Sequence, residues 1–256
     1  DVNVPDGGVR SQIRLSLPES GDTVRLYRTS GVSGRERLVA AGFPKDGIPA
    51  LVNPAMFTLA EAEEFSNELR RTHRGKYLVG DDLVIGVAVG GAARAYPLRI
   101  ITWHEIVNDT LAGQPLVVTY NPLCDSSLVF ERRTIDGVVV FGVSGLLYNS
   151  NLLLYDRCAD VRRESLWSQL QRRAIAGPAA QRGEELRLVP AVVTCWQDWR
   201  ERYPETTVLA PDRERLHGAG RAGRGHPAAA APARHQSGRR IPARVPRWTS
   251  RLVGRQ

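Results

Sequence analysis

Lysine is almost missing from this chain. Of 35 basic side chains only Lys45 and Lys76 are lysines, the rest being arginine. Such a bias follows coding-sequence composition and assigns no function. Cysteine is scarce as well. Cys124, Cys158 and Cys195 are too few and too scattered for a disulfide framework. They leave open one disulfide with a free thiol, or three free thiols. No run approaches the ~20 apolar residues of a membrane-spanning helix. No leader pattern is visible, and the chain begins at Asp1 without methionine, which reads as a processed or trimmed product.

What is present is enough for a sizeable core: 256 residues, 42% of them hydrophobic. The net charge of +8 is local. From Arg213 to Gln256 there are eleven arginines and one acid, leaving 24 basic against 26 acidic side chains in the first 212 residues. The body is nearly neutral, so no specific nucleic-acid partner is expected. The tail is Ala, Gly, Pro and Arg throughout and cannot bury enough apolar surface to offset its ordering entropy. Disorder is expected there.

The remaining chain reads as short strands with a few helices. Residues 1–42 form a loosely structured extension with a strand such as Thr23-Val24-Arg25-Leu26-Tyr27. Phe43 to Leu51 is turn-rich but apolar at intervals, as suits an ordered loop over a core. Thr58 and Glu61 fit a capping box that opens a helix to about Arg71. Two apolar runs joined by Gly90-Gly91 predict a hairpin over 83–96. Thr102 and Glu105 suggest a second capping box, and a short helix that sets His104 and Asn108 on one face. Thr194 and Gln197 suggest a third, opening a helix to about Tyr203.

The most chemically loaded stretch is Tyr120-Asn121-Pro122-Leu123-Cys124-Asp125-Ser126-Ser127, between expected strands at 115–120 and 127–132. A second polar break, Ser144 to Asn151, is expected as a loop between two apolar strands, where sites tend to sit. The fold class expected is α+β and β-rich: a single domain over 43–211, of many short, mostly antiparallel strands with about three short helices. The extension at 1–42 and the basic tail at 212–256 flank it.

Five blocks in order carry a resemblance: Pro44 to Leu51, Ala93 to Ile100, Trp103 to Asp109, Phe141 to Ser150 and Ser165 to Gln169. Together they resemble the domain-of-unknown-function family 3179 over about 43–211. The resemblance implies an extracytoplasmic setting, periplasmic or cell-surface, with membrane association only through a leader absent from this chain. It implies no particular reaction. Family members read Tyr-Cys-Pro-Leu-Cys-Gly at the loaded turn, where this chain has Asn121 and Asp125. They also have a very short link where this chain carries Cys158 to Glu164.

Three functions fit the residues. The first is a binding module for a small ligand or metal, its pocket gathering Tyr120, Ser144, Tyr148, Asn149, Asp156 and Trp167 around Cys124 and His104. Thiolate and imidazole suit a transition metal, copper or zinc, as cofactor. Asn121 in place of a second sulfur removes dithiol chemistry within the turn. The second is a thiol-dependent enzyme with Cys124 as nucleophile and His104 as base. The third is a structural or interaction domain without a site. Ser126 and Ser144 lie outside any Gly-x-Ser-x-Gly elbow. Trp103, Trp167, Trp196 and Trp199 fit core packing better than a pocket lining.

Overall fold

Leu116-Val117-Val118 has no polar partner in its alternation, so a strand built from it must be covered on both faces. In the computed structural model it is. The structure describes residues 12–16, 23–27, 38–72 and 75–211. The described residues form one compact unit. The basic tail, with the disorder expected of it, lies outside the described residues.

The strand Gln114–Asn121 sits inside a four-stranded sheet, between Ser126–Glu131 and Ile106–Leu111, with Leu51–Val52 at the far edge. One face sends Ile106, Val117 and Phe130 into a core shared with Phe141, Val143, Leu152, Leu154 and Trp167. Most of these partners lie on strands of a seven-stranded sheet: Phe141–Tyr148, Asn151–Asp156 and Leu166–Ser168. The opposite face sends Val107, Leu116, Val118 and Val129 against Ile85, Val87 and Tyr96. Those lie on the hairpin Leu83–Val89 and Ala92–Pro97 of a five-stranded sheet. Three sheets therefore sandwich two apolar cores, with the loaded turn at one end of the middle sheet.

The outer face of the five-stranded sheet packs against the helices Leu59–Arg71 and Trp196–Arg202 through Phe65, Trp196 and Trp199. The Trp199 indole lies so close that a Cβ on Gly86 would stand 2.2 Å from its ring. This is the close approach that only glycine permits inside a strand.

The β-rich α+β reading holds, with 18 strands and four α-helices among the described residues. The capping box at Thr58 and Glu61 forms in both directions, and Gly90 and Gly91 take positive φ at the hairpin turn. The strand at 23–27 is present. Phe43, Ile48 and Ala50 pack against the core, as expected of the loop over 43–51. No helix among the described residues is long and apolar enough to cross a membrane.

Three local expectations are corrected. The helix sought at 102–109 lies earlier, at Leu98–Ile101, and Thr102 ends it rather than capping its start. Ile106–Leu111 is a strand, so His104 and Asn108 share no helical face. The reversal falls on Glu105 at φ 56, a left-handed position where glycine is the usual C-terminal residue. The loop expected at 144–151 shrinks to Asn149 and Ser150, both at positive φ, because the strand runs on to Tyr148 through an irregularity at Gly145 (φ 74). Thr194 is the penultimate residue of the strand Ala191–Cys195, and the next helix has no side-chain cap.

Candidate functional site

The strands Gln114–Asn121 and Ser126–Glu131 pair with Asn121 opposite Ser126. Between them the chain turns through Pro122, Leu123, Cys124 and Asp125. Asn121 holds the turn from inside: its Oδ1 accepts from the Leu123 N–H at 3.0 Å. Asp125 takes φ 50, the left-handed region that a short polar side chain tolerates best after glycine. Its carboxylate accepts from the Tyr120 hydroxyl at 2.9 Å. Partial burial, then that bond, push the Tyr120 phenol up to about 12.

Beneath the exposed Cys124 lies a network of uncharged groups whose direction is set by backbone carbonyls. Thr119 donates its one hydroxyl hydrogen to the Leu128 carbonyl at 2.7 Å, so toward Gln169 it can only accept. Gln169 therefore presents its amide nitrogen there, at 2.9 Å, and also to the Ser126 carbonyl at 3.3 Å. Its Oε1 then faces the other way and accepts from the Ser126 hydroxyl at 2.9 Å and from Asn151 Nδ2 at 3.0 Å. The same Asn151 nitrogen stands 3.0 Å from Ser126 Oγ and 3.2 Å from Cys124 Sγ. Cys124 Sγ is also 3.1 Å from Ser126 Oγ.

No amide in this chain of bonds can flip without setting acceptor against acceptor. This leaves Asn151 with a stranded oxygen, as the Leu123 N–H leaves Asn121 with a stranded nitrogen. Asn151 Oδ1 and Asn121 Nδ2 are buried with no hydrogen-bond partner among the described residues. Leaving one such group unpaired costs about 1–3 kcal/mol. Both asparagines touch the exposed turn, one through the Leu123 N–H and the other through the Cys124 sulfur. Leu123 and Leu170 stand 71% and 54% exposed beside Cys124 and Gln169 in sequence.

The other expected site residues are distributed more widely. His104 is buried, and its Nδ1 lies 2.9 Å from the Pro49 carbonyl, where the ring nitrogen donates. Asp156 and Trp167 meet each other, Trp167 Nε1 donating at 3.0 Å to a carboxylate that also accepts from the Ser165 N–H. Burial raises the Asp156 carboxyl, and these two bonds oppose the rise. Trp167 is fully buried in the core, edge-on to Phe141. Ser144 donates to the Leu153 carbonyl at 2.7 Å and accepts from the Leu146 N–H, stitching the strand irregularity. Tyr148 packs with Leu146, Leu153 and Ile175, and Asn149 is exposed at the hairpin turn.

Ser126, Asn151, Gln169 and Asn121 were not among the expected ligand-binding residues, and neither was Glu105. Its carbonyl accepts from the Tyr120 N–H at 2.8 Å, and burial alone raises its carboxyl to about 7. A glutamate at a position that prefers glycine is the signal that could have drawn attention to it.

Copper and zinc fit the turn poorly. Among the described residues no group of three or more His, Cys, Asp or Glu side chains is placed to hold an ion. Around the Cys124 sulfur stand an amide nitrogen and a hydroxyl, where either metal wants thiolate, imidazole or carboxylate. All three cysteines are unpaired. A separate open groove lies between the edge strand Ala191–Cys195 and the helix Trp196–Arg202, lined by Val192, Asp198, Glu201 and Tyr203 among others.

No curated protein and no solved structure is similar enough to the chain to count as a match. The model of one family, described as a protein of unknown function (DUF3179), matches residues 45–221. That span takes in all three sheets' principal strands, the loaded turn and the amide network beneath it. The chain belongs to the DUF3179 family.

Proposed function

We propose that this domain binds a small polar ligand at the end of the middle sheet, in an extracytoplasmic setting. The observation that carries the reading is the stranded pair, a donor on Asn121 and an acceptor on Asn151, both in contact with an exposed thiol turn. A fold that buries two unpaired polar atoms loses stability at each, and such losses concentrate where a ligand completes the bonds. Both atoms are shut from bulk water. The ligand therefore reaches them through a movement of the turn Pro122 to Cys124, which is itself largely exposed. Cys124 belongs to the rim of this seat, its sulfur held by neutral groups. The extracytoplasmic setting rests on the family resemblance, and a topology reporter fused to the natural gene product tests it.

Fragment binding followed by amide NMR on the full chain tests the site itself. Polar fragments are expected to shift resonances of residues 119–127, Asn151 and Gln169. Binding confined to the groove at Val192, Trp199 and Tyr203 would remove the turn as the site.

A further inference from the structure

The strand Ala191–Cys195 ends the five-stranded sheet, and no strand among the described residues pairs with its outer side. Which of its backbone groups face outward follows from one bond. Just past the strand, the Trp196 N–H donates to the Asp82 carbonyl at 2.8 Å. Bonded and unbonded pairs alternate along an antiparallel ladder. Thr194 and Val192, two and four positions back, therefore bond Val84 and Gly86 opposite them. Ala191, Val193 and Cys195 turn their N–H and C=O groups away from the sheet. Side chains alternate in the same step, so Val192 and Thr194 line the groove beside the helix Trp196–Arg202. Sheets commonly blunt an open edge with charge, proline or a bulge. Between Ala191 and Cys195 there is no charged residue and no proline, the register is unbroken, and Ala191, Val192 and Val193 are exposed.

The groove has a volume of about 710 Å³, and its charged lining is Asp198, Glu201 and Arg202. The Arg202 guanidinium lies over the Tyr203 ring, 5.8 Å from its centre. Glu201 accepts from the Gln197 amide at 3.0 Å. Neither Asp198 nor Glu201 belongs to an ion pair among the described residues. We infer that edge and groove together take an extended peptide segment with arginine or lysine at alternate positions. The segment joins the sheet as a further strand, its backbone bonding Ala191, Val193 and Cys195. Every second side chain then falls on the face of Val192 and Thr194, where a basic group meets the two carboxylates. A second copy of this edge would bring its own Asp198 and Glu201 to that same face, and like charges oppose that pairing. The inference is independent of the turn at Asn121 to Ser126, which belongs to a different sheet.

The test is residue-resolved hydrogen exchange on the isotope-labelled full chain with two end-capped heptapeptides, one alternating valine with arginine and one alternating valine with glutamate. In the free protein the N–H groups of Ala191, Val193 and Cys195 should exchange fast, and those of Val192 and Thr194 slowly. The arginine peptide is expected to slow the first three at least about tenfold and to leave the other two unchanged. No slowing, or slowing without this alternation, overturns the added strand. Equal binding of the glutamate peptide overturns the basic partner. Slowing of the same three without peptide, growing with protein concentration, assigns the edge to a second copy instead. Val193→Pro removes the central outward N–H and spares the ladder with Leu83–Val89, so it should abolish the slowing at Ala191 and Cys195. Should that variant not fold, Asp198→Asn combined with Glu201→Gln, both on the exposed helix surface, should weaken the arginine peptide about fivefold, the worth of exposed ion pairs. Unchanged affinity in that double variant overturns the charge assignment.

Discussion

Two turns of this domain carry an exposed cysteine, and they are built on opposite plans. The turn at Asn121 to Ser126 sits on buried amides that end in an unpaired donor and an unpaired acceptor. The loop at Arg157 to Glu164 is closed at its base instead. The Asp156 N–H donates to the Ser165 carbonyl and the Ser165 N–H donates to the Asp156 carboxylate, while Arg157 and Glu164 pair with Asp46 and Lys45. Each turn also has a buried carboxylate nearby. Asp156 receives two hydrogen bonds that oppose the effect of its burial. Glu105 has desolvation as the sole cause of its rise. The closed loop resembles an insertion that the fold has absorbed. The open turn keeps its unmet bonds, which is the condition expected of a place where something binds.

The largest effect should separate the two at once. Gln169→Leu leaves Thr119, Ser126 and Asn151 short of a partner inside the core, and should cost about 3–5 kcal/mol in urea unfolding. Deleting Ala159 to Arg163 leaves a three-residue hairpin loop between residues already paired, and should change stability by less than about 1 kcal/mol. Similar losses in both would end the distinction.

The carboxylates give a sharper version, because their substitutions should differ in sign. An acid whose folded pKa lies above its ordinary value holds its proton more tightly when folded. The stability Glu105 contributes is thus fully present below about pH 4.5 and is lost as the pH rises to about 7. Roughly 3 kcal/mol disappears over that interval. Glu105→Gln should flatten the stability profile between those values and stabilise the protein at pH 8. Asp156→Asn should instead destabilise by about 1–2 kcal/mol, since an amide nitrogen would face a donor. Urea titrations at pH 5 and pH 8 compare them, and a loss for Glu105→Gln at pH 8 would show that its ionised carboxylate is held by a partner.

The smallest effect concerns the thiols. Burial, then the nearby Asp156 and Glu164 carboxylates, push the Cys158 thiol up. Around Cys124 the bonded groups are neutral. At neutral pH Cys158 should react with iodoacetamide at least about threefold more slowly than Cys124, read peptide by peptide by mass spectrometry. Equal rates would erase this part of the contrast.

What the residues disclosed in advance was whatever rests on near neighbours. The Thr58 capping box, the Gly90-Gly91 hairpin and the strands around the loaded turn all depend on contacts within a few positions. The helix expected at Thr102 failed because its two capping residues were right in type but fell after the helix rather than before it. Ser144 and Gly145 looked like a loop because a polar residue and a glycine interrupt an apolar run. In the fold they form an irregularity within a strand, and the serine replaces the missing ladder bonds. The site was half visible. Cys124 and its turn stood out, whereas Gln169 reaches Thr119 across 50 positions, and no local pattern announces such a meeting. Tertiary pairing decides it.

One strand sets the order in which the molecule can be completed. Thr207–Leu209 lies in the interior of the five-stranded sheet, parallel to Ala92–Pro97 on one side and antiparallel to Met56–Phe57 on the other. A chain emerging from the ribosome therefore makes both neighbours more than a hundred residues before the piece that joins them. Until Leu209 has left the exit tunnel, two strand borders and the surface under Phe65 and Tyr77 stay uncovered. During synthesis this is the interval in which aggregation threatens most and in which a chaperone has something to hold.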